Sequence, residues 1–187
     1  MHNQQSLLEV PAGPAPATPV RFLDPPGHDA GTRHRTVASP LGPILLTGDG
    51  HVLTRITLNP EPDTPEVSWV EAPNDFTTAV QQLTAYFTGD LHSFDLALAP
   101  AGTSFQRRVW QQLTTVAYGH TTNYGALAAQ LGQPTAARAV GMANGRNPLP
   151  IVVPCHRIIG ADGGLTGYSG GLDIKRKLLR LENRHSR

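Results

Sequence analysis

The chain of 187 residues has a single cysteine, Cys155. One thiol excludes an intrachain disulfide and any zinc site built from several cysteines. No apolar run reaches the roughly 20 residues that a membrane-spanning helix needs, so no membrane partner is expected. The N-terminus lacks a basic stretch followed by an apolar core, and no secretion signal is expected. These absences point to the cytoplasm. Acids are scarce in the second half: residues 101–187 hold 11 Lys/Arg against 3 Asp/Glu, whereas residues 1–100 hold 4 against 11. The net charge of +1 therefore conceals nets of +8 and −7. A basic half is the footprint expected for phosphate binding, although a solvated basic surface would read the same way. The glycine spacings match neither a Walker motif nor a dinucleotide fingerprint. No metal and no cofactor are expected.

Along the chain, residues 1–35 carry Pro11, Pro14, Pro16, Pro19, Pro25 and Pro26 without sustained periodicity. A mostly disordered extension is expected there, with room for a local contact at Leu7–Val10 or Val20–Leu23. His28 and His34 read as solvated. Residues 36–58 read as a hairpin: Thr36–Ala38 enters, Ser39–Gly42 turns, Ile44–Thr47 is a strand, Gly48–Gly50 turns, and Val52–Leu58 alternates. A Pro- and acid-rich loop spans 59–74. Phe76, Val80, Leu83 and Phe87 then recur at helical spacing up to Gly89. This part offers no chemistry and reads as a supporting α/β subdomain, residues 36–100.

Ser104 is the expected N-cap of a helix with Phe105, Val109, Leu113 and Val116 on one face. Thr122–Gly125 opens a short helix through Leu131. Gln133-Pro134-Thr135 starts another that runs through Ala143 and closes at Asn144-Gly145. Two short helices joined by a Gly-containing turn fit a helix-turn-helix, or an ordinary helical corner. The second helix, Ala136 to Ala143, offers small side chains and Arg138. Base readout in the major groove uses forked polar side chains. Ala137, Ala139 and Gly141 instead suit close backbone approach with little sequence discrimination. Arg138 reads as a phosphate contact, a side chain that enters the base stack, or a surface arginine.

Cys155 follows the strand-like run Ile151-Val152-Val153 and Pro154, and precedes His156 and Arg157. It is either a small core residue or a nucleophile, and its flanks favour the nucleophile. The thiolate is the reactive species, and nearby cations stabilise it. His156 is adjacent, but strand neighbours point to opposite faces, so the two cooperate only if the chain bends or a water bridges them. Glu182 is the candidate that orients the histidine. It lies on a C-terminal helix with Ile174, Leu178 and Leu181 at core spacing. Asn147, in an Asn-Pro turn, can bond backbone on both sides. Arg157 reads as structural. The Gly163–Gly171 segment can wrap closely round a ligand, with Tyr168 as an apolar wall and the Ser169 N–H as a donor.

Taken together, these residues resemble a known family. Pro154-Cys155-His156-Arg157, preceded by Asn147-Pro148 and Ile151-Val152-Val153, resembles the O6-alkylguanine-DNA alkyltransferases (methylated-DNA–protein-cysteine methyltransferases). So do Ala137-Arg138-Ala139-Val140-Gly141 and Tyr168-Ser169-Gly170-Gly171-Leu172. The similarity runs from about Arg35 to Glu182 and is densest over 104–182. It implies an α/β (α+β) fold: a small N-terminal α/β subdomain with an antiparallel hairpin, then a mainly helical domain, 101–187, with a helix-turn-helix and the cysteine.

The implied activity is DNA repair. A damaged guanine in duplex DNA is flipped into a pocket, and its O6-alkyl group passes to Cys155 irreversibly, once per molecule. O4-alkylthymine is a second candidate lesion. The resemblance assigns His156 as general base through water, Glu182 as its orienter and Asn147 as a brace. Tyr124 would donate toward N3 of the base and help rotate its phosphate. Arg138 would replace the extruded nucleotide, on a helix in the minor groove with Ala137. Tyr168 and Gly170 would line the pocket, the Ser169 N–H would bind O6, and carbonyls near Cys155 and Val153 would accept from the exocyclic amine. The partner is double-stranded DNA, met as a monomer. His120 departs from the polar or acidic residue usual in relatives, with little consequence expected. The structural zinc of some relatives is not expected, for want of cysteines, nor is the zinc-binding regulatory domain of others. A non-catalytic lesion sensor and a cysteine hydrolase remain as alternatives at this point.

Overall fold

The computed structural model describes residues 20–25, 31–61, 64–66 and 68–185. A six-stranded mixed sheet forms first, with strand order β1-β6-β4-β3-β2-β5. Its centre is the meander β2 (Arg33–Val37), β3 (Ile44–Gly48) and β4 (Leu53–Leu58), paired antiparallel. The hairpin reading therefore holds, with β2 starting three residues before Thr36. All five residues of β3 are buried, as a central strand covered on both faces requires.

The expectation of disorder to residue 35 needs correction at two places. Arg21–Phe22 forms β1, parallel to β6 (Ala97–Leu98), and Arg33–Arg35 belongs to β2. His34 is likewise not solvated: it is half-buried beside Trp69, ring centroids 6.4 Å apart. The contact foreseen at Val20–Leu23 is β1 itself, which borrows the edge of a sheet rather than forming local structure. Leu7–Val10 and His28 lie outside the described residues. Strand β5 (Val70–Glu71) closes the other edge beside β2.

Helix α1 (Thr77–Thr88) packs on the sheet and ends at Gly89, whose φ of 84° suits glycine. Its inner face is Ala79, Leu83 and Tyr86. Val80 and Phe87 sit at the margin of the core instead. The helical period was legible, but its face is turned by about one residue.

Helix α2 (Ser104–Leu113) begins one residue earlier than expected: the N-cap is Thr103, not Ser104. Thr103 and Gln106 form a reciprocal capping box, which satisfies two backbone donors where a lone serine satisfies one. Val116 lies beyond this helix. Strand β7 (Thr122–Asn123) leads into α3 (Tyr124–Gln130), capped by Asn123. Residues 134–135 form a turn, and α4 spans Ala137–Gly145, so the second helix starts later than Pro134 suggested. Trp110 donates its indole N–H to the Ala143 carbonyl at 2.9 Å and ties α2 to α4. Helix α5 (Leu172–His185) closes the chain.

The run Ile151–Val153 is not a strand. Ile151 adopts φ 76°, a region that β-branched residues avoid, and it is completely buried. The chain turns there, makes a single bridge between Pro150 and Val153, and enters one turn of 3₁₀ helix at Cys155–Arg157. Strand β8 (Ile158–Ile159) then pairs parallel with β7. The Ile56 N–H donates to the Pro148 carbonyl at 2.8 Å, anchoring this turn to the sheet. Among the described residues no helix is long and apolar enough to cross a membrane.

Candidate active site

Cys155 is 2% exposed. The Asn147 side-chain amide donates to its Sγ at 3.0 Å and to the Val153 carbonyl at 2.9 Å. The Asn147 oxygen accepts from the Leu149 N–H at 3.0 Å. All three bonds reach residues 149–155, so this side chain braces the cysteine turn from within rather than bonding backbone on both sides of Asn147. Burial is the strongest influence on the thiol and pushes it up to about 11, while the Asn147 amide and the Lys175 charge pull it down. The flanking cations do not make a resting thiolate, contrary to the sequence expectation. Arg157 turns its guanidinium to Glu182, and desolvation outweighs what remains.

The 3₁₀ turn supplies the bend that a strand could not. It sends His156 into the core, where it is fully buried and its Nε2 lies 2.7 Å from Glu182 Oε1. The carboxylate only accepts, so Nε2 carries the proton and Nδ1 is left as a base. Nδ1 is buried without a protein partner. Burial lowers the His156 pKa against the opposing pull of Glu182, so the ring is neutral near pH 7.

Glu182 is the hub of a buried network. It accepts from the Tyr86 hydroxyl at 2.8 Å, from Nε and Nη2 along one edge of the Arg157 guanidinium at 3.0 Å each, and from the Gly119 N–H at 3.1 Å. Burial raises its pKa, but the His156 hydrogen bond and the Arg157 charge outweigh that and bring it to about 2. Arg157 also donates to the Val116 carbonyl at 2.6 Å and lies 5.7 Å from the Tyr118 ring centre. Its structural reading holds.

Around the thiol, the Tyr168 hydroxyl is buried without a nitrogen or oxygen partner. Burial first, and the adjacent Cys155 sulfur, hold its phenol well above the usual value. Ser169 is exposed and Gly170 half-buried. A Cβ on Gly170 would stand 3.0 Å from the Tyr168 side chain and 3.1 Å from that of Leu58, so a larger residue would press on both where the loop meets the sheet. The Val153 carbonyl already accepts from both Asn147 and the Cys155 N–H. Both of its lone pairs are used within the turn. The Cys155 carbonyl accepts one bond, from Ile158, and keeps a free lone pair.

On α4, Val140 and Ala143 face inward, while Arg138, Ala139, Met142 and Gly145 are exposed. Ala137 is half-buried at its start. Tyr124, at the start of α3, directs its hydroxyl to Thr166 Oγ1 at 2.8 Å. His120 bonds the Tyr118 carbonyl through its ring. An exposed small-residue helix and a buried thiol–amide–imidazole–carboxylate cluster thus occupy one module.

Comparison with known proteins agrees with that arrangement. Residues 104–184 match the family described as 6-O-methylguanine DNA methyltransferase, DNA binding domain, and residues 32–100 match its ribonuclease-like domain. The chain belongs to the 6-O-methylguanine DNA methyltransferase family. A methylated-DNA–protein-cysteine methyltransferase of Mycolicibacterium paratuberculosis is 54% identical over 82% of this chain and 93% of its own length. One from Methanosarcina acetivorans is 54% identical over 77% of this chain and 94% of its own. The structure of Mycobacterium tuberculosis OGT in complex with DNA superposes with a TM-score of 0.77 at 52% identity, covering 82% of this chain and 94% of that one.

Two residues of this methyltransferase's site escaped the sequence reading. Lys175 is completely buried and donates to the Ile158 carbonyl and, at 3.0 Å, to the Thr166 carbonyl. It shares a helical face with Leu178 and Glu182, a spacing that could have disclosed it. Tyr86 comes from the other sequence half, and no local signal connects it to Glu182.

Proposed function

We infer that this chain repairs DNA by taking the alkyl group of O6-alkylguanine onto Cys155, irreversibly and once per molecule. The observation that carries the reading is the Cys155 thiol, bonded by Asn147 and one 3₁₀ turn from the His156–Glu182 pair. That cluster sits in the same module as an exposed helix of small residues.

The target carbon is unreachable in a stacked duplex, so the damaged nucleotide is flipped out. Helix α4 lies in the minor groove, where Ala137, Ala139 and Gly141 permit close approach. Arg138 fills the vacated place in the stack. The Tyr124 hydroxyl donates to the flipped nucleotide. In the pocket, Tyr168 forms a wall beside Gly170, the Ser169 N–H donates to O6, and the Cys155 carbonyl accepts from the exocyclic amine. His156 Nδ1 takes the thiol proton through one water, and Glu182 stabilises the resulting imidazolium. Sulfur then attacks the alkyl carbon in line. The S–C bond forms, the C–O6 bond breaks, and its electron pair leaves with guanine, which is reprotonated. A thioether is not hydrolysed by water, so the protein is consumed. A resting neutral thiol suits this sequence, because the proton need leave only once the lesion is bound.

The reading divides the chain into a supporting unit, residues 36–100, and a DNA-binding and alkyl-acceptor unit, residues 101–187. It puts the protein in the cytoplasm, where a free thiol stays reduced. The test is intact-protein mass after incubation with duplex DNA carrying one O6-methylguanine. One methyl per molecule, mapped to Cys155, supports transfer. An unchanged mass with the lesion still bound replaces the reading with that of a lesion sensor.

A further inference from the structure

Tyr124 and Thr166 hold a hydrogen bond between two hydroxyls, 2.8 Å apart, that joins the DNA-facing module to the loop beside the thiol. Each hydroxyl can donate one proton and accept others. At 2.8 Å either oxygen can be the donor. The Tyr124 ring lies against α4, within 3.6 Å of where a Cβ on Gly141 would stand. Thr166 is fixed from the opposite side. Its carbonyl accepts from the buried Lys175 ammonium at 3.0 Å, and its methyl lies 3.5 Å from where a Cβ on Gly160 would stand. The same ammonium bonds the Ile158 carbonyl, and Ile158 pairs with Thr122, two residues before Tyr124. Tyr124, Thr166, Lys175 and β8 thus form a closed ring that holds the Thr166 backbone beside the phenol.

We propose that Thr166 is a positioning residue for the transfer reaction: its hydroxyl donates to the Tyr124 oxygen, so that the phenol proton is always presented outward to the flipped nucleotide. A phenol whose acceptor side is filled has its own proton as its remaining hydrogen-bonding capability toward a DNA acceptor. A free phenol would lose part of its time to other rotor positions and to accepting from water. The arrangement rests on the reading that Tyr124 donates to DNA. It extends that reading to the hydroxyl that meets the phenol oxygen.

The test is a double-mutant cycle on the single-turnover rate of methyl transfer from duplex O6-methylguanine. Thr166→Val keeps the methyl and the shape and removes the hydroxyl; it is expected to slow transfer about three- to tenfold, the range for losing one neutral hydrogen bond. Thr166→Ser restores the donor and is expected to return the rate to within about twofold of the parent, a rescue that loss of packing would not give. Tyr124→Phe is expected to slow transfer at least as much as Thr166→Val. In the Tyr124→Phe background, Thr166→Val should add nothing. If Tyr124→Phe reacts at the parental rate, the donor role of Tyr124 falls, and this proposal with it. If Tyr124→Phe is slow but Thr166→Val is fast, or the two effects simply multiply, the role of Thr166 is overturned and that of Tyr124 stands. Equal melting temperatures for Thr166→Val and Thr166→Ser confine the difference between them to the hydroxyl bond. If Thr166→Val alone melts lower and Thr166→Ser fails to rescue the rate, the role is structural and the proposal fails.

Discussion

The hydroxyl of Tyr86, on the helix that covers the sheet, donates to Glu182 Oε1 at 2.8 Å, across 96 residues of sequence. The carboxylate that holds the active-site histidine is therefore held in turn by the other half of the molecule. Tyr86→Phe removes this donor alone. A hydrogen bond to a charged group contributes about 1.5–3 kcal/mol, and a loss of that size is expected in urea unfolding. An unchanged midpoint would show that the two halves are not coupled through this bond.

Removing the carboxylate should cost more. Glu182→Ala leaves the Arg157 guanidinium, 6% exposed, without its counter-charge. Breaking a buried ion pair from one side costs about 3–5 kcal/mol. Arg157→Met in the same chain should recover part of that loss, because no unpaired cation then remains. Chemical denaturation of the two variants measures both effects.

Acid should act in two stages. The folded His156 has a pKa below its ordinary 6.5, so below that pH the unfolded chain takes up a proton that the folded one refuses, and stability falls. Glu182, at about 2 when folded against 4.5 ordinarily, then contributes stability that is present above 4.5 and lost as pH falls toward 2. The second stage amounts to something on the order of 3 kcal/mol. On the alkaline side, Cys155 ionises in the unfolded chain near 9 but near 11 when folded, so stability falls again as pH rises between them. Melting temperatures across this range should trace a dome; a flat acid limb would contradict the shifts.

Met142 is 60% exposed on α4, an apolar side chain on the helix assigned to the minor groove. Met142→Glu sets a carboxylate against DNA phosphates. Duplex affinity should fall at least tenfold at low salt and by less at high salt, since the repulsion is screened. The melting temperature should stay within a degree or two of the parent. Equal affinity for both proteins would remove α4 from the DNA interface.

Cys155→Ala should abolish methyl transfer while leaving DNA binding in place. In the parent, transfer adds an alkyl group to a site already closed by Asn147, Val153 and Tyr168. Overpacking of this kind costs about 1–3 kcal/mol, so the alkylated protein should melt below the unreacted one. An equal melting temperature would mean that the pocket keeps room for the product.

Most of the elements, and the residues that carry the proposed chemistry, are legible in the amino-acid sequence. A lone cysteine between proline and histidine, an Asn-Pro turn before it, and a helix of alanine and glycine with one arginine are local statements, legible because each depends on neighbours a few residues away. The hairpin, α1 and the helix pair were legible for the same reason: their periods and caps are written within one element. That Ile151–Val153 turns follows from packing, because burial of Ile151 in the core holds a backbone conformation its own preference opposes. The tertiary structure also decided that Arg21–Phe22 is a strand, since a two-residue strand is defined by the edge it joins. The protonation of the site belongs to it as well. Whether Cys155 rests as thiol or thiolate depends on desolvation against Asn147 and Lys175, and the neutrality of His156 on a carboxylate shared with Tyr86 and Arg157. Those balances are sums over groups far apart in the chain, so no local pattern could have expressed them.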